Sequence, residues 1–334
     1  MSPNSPLDVI CVGEALVDFL PDVPGKPVHE VERWVRCSGG SLANVAVGLS
    51  RLGAKSGMVS VVGQDEFGTF LHQSLRSEGV DVSHLRRTEE GKTGLVFISL
   101  GADGERQFAF YRTRAAELFL SEQDVDAGFL ARARAVHCGT NSLLFRDAQR
   151  AMVKIVQTAK AAGKIVTCDP NLRLHMWPDP RELQDVLALI VPYASVVKLS
   201  EEELEFVTGL ADPEAGLASL AKKGVTLPVL TLGAKGAMFL FKDCFVRVAA
   251  PVVPVVDTTG AGDGFMAGLL YGLTRMYADH AALLDSGIGE LREVMGFACQ
   301  VGARAVTQLG AVTALPRLAE LEAVLPRRLR ASRS

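Results

Sequence analysis

Short runs of apolar, β-branched residues alternate along this chain with segments whose apolar positions recur every three or four residues. Leu7–Val12 is an apolar run, interrupted by Asp8 and closed by Gly13, as expected for a buried strand. In Ser41–Leu52 the residues Leu42, Val45, Ala46, Leu49 and Leu52 share one helical face, and Gly53 stands where a C-terminal glycine belongs. Met58–Val62 reads as a strand, and Asp65 opens a helix carrying Phe70, Leu71 and Leu75. From Ala135 the alternation becomes regular. The strands Ala135–Cys138, Lys164–Cys168, Ser195–Leu199 and Pro228–Leu232 are separated by helical patterns at Ala148–Ala159, near Glu182–Ile190 and at Glu201–Val207. This order predicts an α/β fold: a three-layer αβα, Rossmann-like sandwich around a mostly parallel sheet.

Two segments break the rhythm. Val28–Cys37 and Gly94–Tyr111 read as alternating or hairpin strands, the second interrupted by the turn Gly101-Ala102-Asp103-Gly104. They are too polar on one face for central parallel strands, so they predict a small antiparallel sheet projecting from the main body. The basic end, Arg327–Ser334, reads as a frayed tail.

The composition narrows the chemistry. The chain has 334 residues, 48% hydrophobic and 22% charged, with 35 Lys and Arg against 38 Asp and Glu. A formal net charge of -3 offers no global attraction to nucleic acid or to an anionic membrane. The apolar runs are strand-sized, far below the ~20 residues that cross a bilayer. The start of the chain lacks a basic region followed by an apolar core, so a cytoplasmic protein is expected. Cys11, Cys37, Cys138, Cys168, Cys244 and Cys299 occur singly, the pattern of reduced thiols rather than of a metal cluster or disulfide framework.

One segment concentrates the chemistry. Asp257-Thr258-Thr259-Gly260-Ala261-Gly262-Asp263 joins the extended run Pro251–Val256 to the apolar helix Phe265–Leu273. Small residues there let backbone N–H groups converge at a helix N-terminus, which makes an anion site. Asp263 stands at its mouth, where a carboxylate with an ordinary pKa of ~3.9 is ionised at pH 7 and can take a hydroxyl proton. A plain helix cap explains the same residue equally well. Gly262-Asp263-Gly264-Phe265-Met266-Ala267 also fits a dinucleotide fingerprint, but no acidic residue closes a strand ~20 positions on. No G-x-x-x-x-G-K-[ST] occurs, which excludes a P-loop enzyme. A second turn, Thr231-Leu232-Gly233-Ala234-Lys235-Gly236, follows a predicted strand and either is a simple connection or holds part of a nucleotide.

With these blocks in place the chain resembles the ribokinase-like (PfkB-type) carbohydrate kinases over about residues 7–325. The early block is Gly39-Gly40-Ser41-Leu42-Ala43-Asn44, continuing to Gly53, and the late block is Asp257–Phe265. It is most similar to bacterial and plant fructokinases in Val62–Gly68, Phe110-Tyr111-Arg112, Asp169–Arg173 and Glu203–Gly209. The resemblance implies a single kinase domain, 1–334, with a lid formed by about 14–38 and 94–115. It implies that ATP and Mg²⁺ serve the reaction, that Asp263 is the base, and that Gly260, Ala261 and Gly262 form the anion hole. Asp18, Gly39, Gly40, Asn44, Phe97, Phe110, Arg112, Asn141 and Arg173 would bind the sugar. Ser200, Thr231, Gly233, Lys235, Gly236, Cys299 and Gly302 would hold the nucleotide. Glu203 would organise Mg²⁺ through water, although Ser200–Glu203 also reads as a capping box. Asp257, Thr259, Ala305, Gln308 and Gly310 would surround a monovalent cation, K⁺. The lid's outer face would pair two copies in a homodimer.

Some positions depart from the family pattern. Ser200 replaces the asparagine of its Asn-x-x-Glu motif, and Ala314 replaces a serine near the cation. Ala115 and Glu117 replace Ser and Asp of the fructokinase lid, and Arg114 adds a second cation that would suit an acidic sugar. The leading expectation is therefore ATP-dependent phosphorylation of D-fructose to fructose 6-phosphate. A 2-keto-3-deoxygluconate kinase, or another sugar or nucleoside kinase, is the alternative. A non-catalytic kinase-fold binding protein is the alternative of another class.

Overall fold

The computed structural model describes residues 5–23, 25–100 and 106–330. In chain order its strands are β1 (Leu7–Val12), β2 (Leu16–Pro21), β3 (Trp34–Gly39), β4 (Ser56–Gly63), β5 (Asp81–Thr88), β6 (Leu95–Leu100), β7 (Arg106–Tyr111), β8 (Ala133–Cys138), β9 (Ile165–Cys168), β10 (Val196–Ser200), β11 (Leu227–Thr231), β12 (Ala237–Phe241) and β13 (Cys244–Val248). The helices are α1 (Ser41–Arg51), α2 (Glu66–Ser77), α3 (Ala127–Ala131), α4 (Arg146–Ala161), α5 (Pro180–Ile190), α6 (Glu201–Thr208), α7 (Pro213–Lys222), α8 (Ala261–Met276), α9 (His280–Leu284), α10 (Ile288–Ala305) and α11 (Arg327–Arg330).

Nine strands make the main sheet, in the order β13-β12-β11-β10-β9-β8-β1-β4-β5. It is parallel from β11 to β5, and the hairpin β12–β13 adds an antiparallel edge. The reason lies in the burial. β4, β9 and β12 are buried at every residue, as strands between two helical layers must be. α1, α2, α8 and α10 cover one face, and α4, α5, α6 and α7 the other, each layer with its own apolar core. α4 shows how the helices dock: Ala148, Ala151, Met152, Ile155, Val156 and Ala159 are buried at three- and four-residue spacing. The αβα sandwich is therefore the fold.

The small sheet corrects part of the sequence reading. Its order is β3-β2-β6-β7, and β2 runs parallel to β6, so the sheet is mixed rather than antiparallel. Val28–Glu30 is a short 3₁₀ turn, started by a Glu30 N–H bond to the Pro27 carbonyl, and the strand begins only at Trp34. β2, which carries Asp18, was not among the predicted strands. The extended run Pro251–Val256 pairs with no strand, and Val252 and Val255 are exposed. The basic end is not frayed as far as Arg330, because α11 buries Leu329 and ties Arg330 to the Leu325 and Glu322 carbonyls. The turn 101–104 and residues 331–334 lie outside the described residues.

Candidate active site

The functional side chains gather where β1, β8, β9 and β10 end, under the small sheet. α8 begins earlier than its apolar pattern suggests, at Ala261, with Gly260 as its N-cap. Gly260 holds a left-handed φ of 77°, and a Cβ there would lie 2.9 Å from Ala311 Cα, so only glycine makes this turn cheaply. No side chain caps this first turn, and Gly260, Gly262 and Asp263 line the cavity, while the Ala261 N–H bonds the Thr258 carbonyl at 3.3 Å. Asp263 follows within that turn.

Asp263 is not in an ordinary state. Burial pushes the Asp263 carboxyl up to about 7, aided by Asp169 and Glu14 and opposed by an Asn44 hydrogen bond and by Lys198. The expectation of an ionised carboxylate with an ordinary pKa is corrected: the buried group titrates near neutrality. Asn44 was expected to meet the sugar, but its Nδ2 donates to Asp263 Oδ2 at 2.8 Å. Asp18 shares the condition, since burial first, then Asp263, lift its carboxyl to about 7 against the pull of Arg112. Gly39 lies behind it rather than in the cavity, because a Cβ there would run into the Asp18 carboxylate.

Around Asp263 a cavity of ≈ 230 Å³ is lined by Asp18, Gly40, Asn44, Phe110, Arg112, Asn141 and Arg173 among others. Three lining residues carry buried acceptors with no protein donor: Glu14 Oε2, Asn44 Oδ1 and Asn141 Oδ1. Buried polar atoms are ordinarily hydrogen-bonded, so this cavity fits a ligand bearing several hydroxyl groups. Glu14, missed from the sequence, also serves the scaffold. Its Oε1 accepts from Ser41 N at 2.9 Å and Ser41 Oγ at 2.6 Å, standing in for a cap that Gly40 cannot supply.

Phe97 is corrected. Side chains alternate along β6, so Val96 and Ile98 line the cavity while Phe97 packs on the opposite face against Phe19, Trp34 and Tyr111. Arg112 is held in place: Nε donates to Glu117 Oε1 at 2.7 Å, and a terminal nitrogen reaches the Asn141 carbonyl at 3.1 Å. The exchange of Asp for Glu at 117 therefore supplies a buried partner for that arginine. Arg114 turns away, its guanidinium 5.4 Å from the centre of the Phe119 ring, and lines a different cavity beside Glu122 and Asp147. The second cation expected to favour an acidic sugar is thus absent from the site.

Two charged residues complete it. Lys198, on β10, places Nζ 2.8 Å from Asp169 Oδ2, and each side chain is 7% exposed. Burial alone would lower the lysine, but Asp169, Glu203 and Asp263 carry its pKa above the ordinary value. A lysine within an apolar five-residue strand was the signal for it, since a charge buried there demands a partner.

Across Gly262 lies a second, more apolar cleft of ≈ 370 Å³, between Thr231, Gly233 and Gly236 on one side and Phe265, Cys299 and Gly302 on the other. Thr258 and Gly262 line both cavities. Lys235 is exposed and Ser200 is elsewhere; neither lines this cleft. Ser200 instead caps α6, and Glu203 uses Oε2 on Ser200 N and Oε1 on Leu172 N, both at 2.8 Å. That clamp fixes the loop bearing Arg173. Among the described residues no group of three acidic, His or Cys side chains is arranged to hold a metal. Asp257 accepts from Thr259 N and Oγ1 and from Gly310 N, tying the turn before α8 to the loop after α10. Gln308 is exposed on that loop, and Ala305 packs beneath Gly264.

Known proteins share this fold. Residues 7–318 match the pfkB family carbohydrate kinase profile. The chain is 38% identical over 320 residues to probable fructokinase-7 of Arabidopsis thaliana, covering 95% of this chain and 92% of the relative. It is likewise 38% identical to fructokinase-2 of Solanum lycopersicum, over 93% of this chain and 94% of that one. Among solved structures, fructokinase with bound ATP from Xylella fastidiosa superposes with a TM-score of 0.87 at 34% identity, covering 95% and 97% of the two chains. A Vibrio cholerae O395 fructokinase double mutant in fructose, ADP and potassium ion bound form gives 0.84 at 35%, covering 97% and 99%. The uncapped start of α8, Asp263 within it and the two cavities meeting at Gly262 thus stand in a chain that belongs to the pfkB family of carbohydrate kinases.

Proposed function

We propose that this chain is an ATP-dependent fructokinase, converting D-fructose and ATP to fructose 6-phosphate and ADP. The observation that carries the reading is the shared wall: a hydroxyl-seeking cavity with a near-neutral carboxyl and a nucleotide-sized apolar cleft meet at Thr258 and Gly262. A sugar hydroxyl beside Asp263 gives its proton to that carboxylate as the oxygen attacks the terminal phosphorus of ATP. The backbone N–H groups at Gly260, Ala261 and Gly262, where α8 begins, donate to the oxygens of the transferred group. Asp18, Asn141, Arg112 and Arg173 position the sugar, and Phe110 closes over it. Reliance on an acidic sugar is not favoured, because Arg112 is neutralised by Glu117 and Arg114 points elsewhere.

Mg²⁺ would reach the site on the phosphates of ATP and through water, in keeping with its preference for phosphate and water over all-protein cages. K⁺ would act beside Asp257, Thr259 and Gly310, where it steadies the turn that shapes the anion hole; replacing K⁺ by choline should then lower turnover. The segments 14–38 and 94–115 act as the lid of one kinase domain. Its outer face, with exposed Val35 and Tyr111, fits pairing with a second copy, which sedimentation would read. No described helix is long and apolar enough to cross a membrane, and the reaction fits the ATP-rich cytoplasm. A panel of sugars with ATP and Mg²⁺ tests the assignment: fructose should lead in kcat/KM, and an acidic sugar ranking above it would overturn the substrate.

A further inference from the structure

We propose that Lys198 is a further catalytic residue: its ammonium group, steered by Asp169, takes up the negative charge of the phosphoryl group as it passes Gly262. The inference rests on the kinase reading above. Lys198 lines the sugar cavity although it is buried in a central strand. One of its N–H bonds is directed to Asp169 Oδ2, and among the described residues no other protein acceptor is offered. An ammonium has three donors, so two remain for a ligand. Its Nζ lies 3.5 Å from where a side chain on Gly262 would begin, beside the uncapped amides of α8.

The charges around the cavity make a cation there necessary. An entering phosphoryl group meets Glu14, Asp18, Asp169 and Asp263, all buried. Arg112 is held by Glu117, and Arg173 hangs from the loop on the sugar side. Lys198 is the cation set against the anion hole itself. Asp169 is its positioning residue: an unpaired buried ammonium is costly, and the carboxylate both aims it and keeps it charged.

The test compares the intact protein with Lys198→Met, Asp169→Asn and the charge-neutral double variant, by initial rates with ATP and fructose at about pH 5.5 to 9. Thermal unfolding is recorded alongside. Both variants lacking the lysine should lose about 10²–10³-fold in kcat, with the KM for sugar within about threefold. In Lys198→Met the acid limb of kcat/KM should move to higher pH, because Asp263 loses the cation that favours its ionised form while Glu14, Asp18, Asp169 and Glu203 remain. Asp169→Asn should keep about a tenth of kcat or more. A folded double variant with near-native kcat, or an unmoved acid limb in Lys198→Met, overturns the inference. So does failure of both lysine variants to fold, which would assign the pair to the core. Absence of turnover by the unaltered protein on every sugar sinks the kinase reading instead.

Discussion

Replacing Asp263 by asparagine probes the reaction and the fold in opposite directions. The folded carboxyl titrates at about 7, against 3.8 for a free one, because it is buried and faces Asp169 and Glu14. Between those values the folded protein holds a proton that the unfolded chain has released. Stability therefore falls as pH rises from about 4 to about 7, then levels off. At ~1.4 kcal/mol per pH unit, a separation of about three units amounts to ~4 kcal/mol. Asp18 titrates in the same range and is itself raised in part by Asp263, so the two share the cost. The amide can still accept the Asn44 Nδ2 bond that Asp263 Oδ2 accepts now. Asp263→Asn should thus be more stable than the native chain by about 2 kcal/mol at pH 8.5, and by less than about 1 kcal/mol at pH 5. Urea unfolding at both pH values measures it, and turnover should meanwhile drop by ~10²–10⁴ or more. A stability difference that does not change with pH, or a less stable variant at pH 8.5, refutes the reasoning.

The remaining predictions follow from the same geometry. The kcat/KM for sugar should climb with pH through about 7 as Asp263 ionises, and a profile flat from about pH 5.5 to 8 would remove it as the base. Arg112→Met strands Glu117, which is fully buried, and should cost about 3–5 kcal/mol. Adding Glu117→Gln should recover much of that stability without restoring sugar affinity, read by thermal unfolding and KM. Cys299→Trp should fill the cleft beside Gly302 and raise the KM for ATP at least about tenfold while leaving sugar binding unchanged. Equal effects on both substrates would show that the cleft is not the nucleotide site.

What could be read in advance divides along physical lines. The central strands announced themselves because both of their faces are covered, and helices such as α4 because one stripe is. β5 was missed since an edge strand, Asp81–Thr88, needs only one apolar face and carries His84, Arg86 and Arg87. The β12–β13 hairpin hid for another reason: its turn takes left-handed φ values of 48° and 62° at Lys242 and Asp243, without the usual glycine. The turn that opens α8 was legible as a run of small residues, but the state of Asp263 was not. Its pKa depends on Lys198, on β10, and on Asp169, just past the end of the neighbouring β9 and 29 residues away in sequence. Phe97 failed for the opposite reason, because a strand's register decides its facing and a motif does not show it.

The wall shared by the two cavities also has a stereochemical consequence. On the proposed reading the nucleotide and sugar cavities share only Thr258 and Gly262, and among the described residues lining both there is no carboxylate, thiol or imidazole to carry the phosphorus halfway. Acceptor and leaving oxygens must therefore occupy opposite sides of one phosphorus atom in one encounter. A chiral phosphorothioate label would emerge inverted, and isotope would not scramble between ATP and ADP while the sugar is withheld.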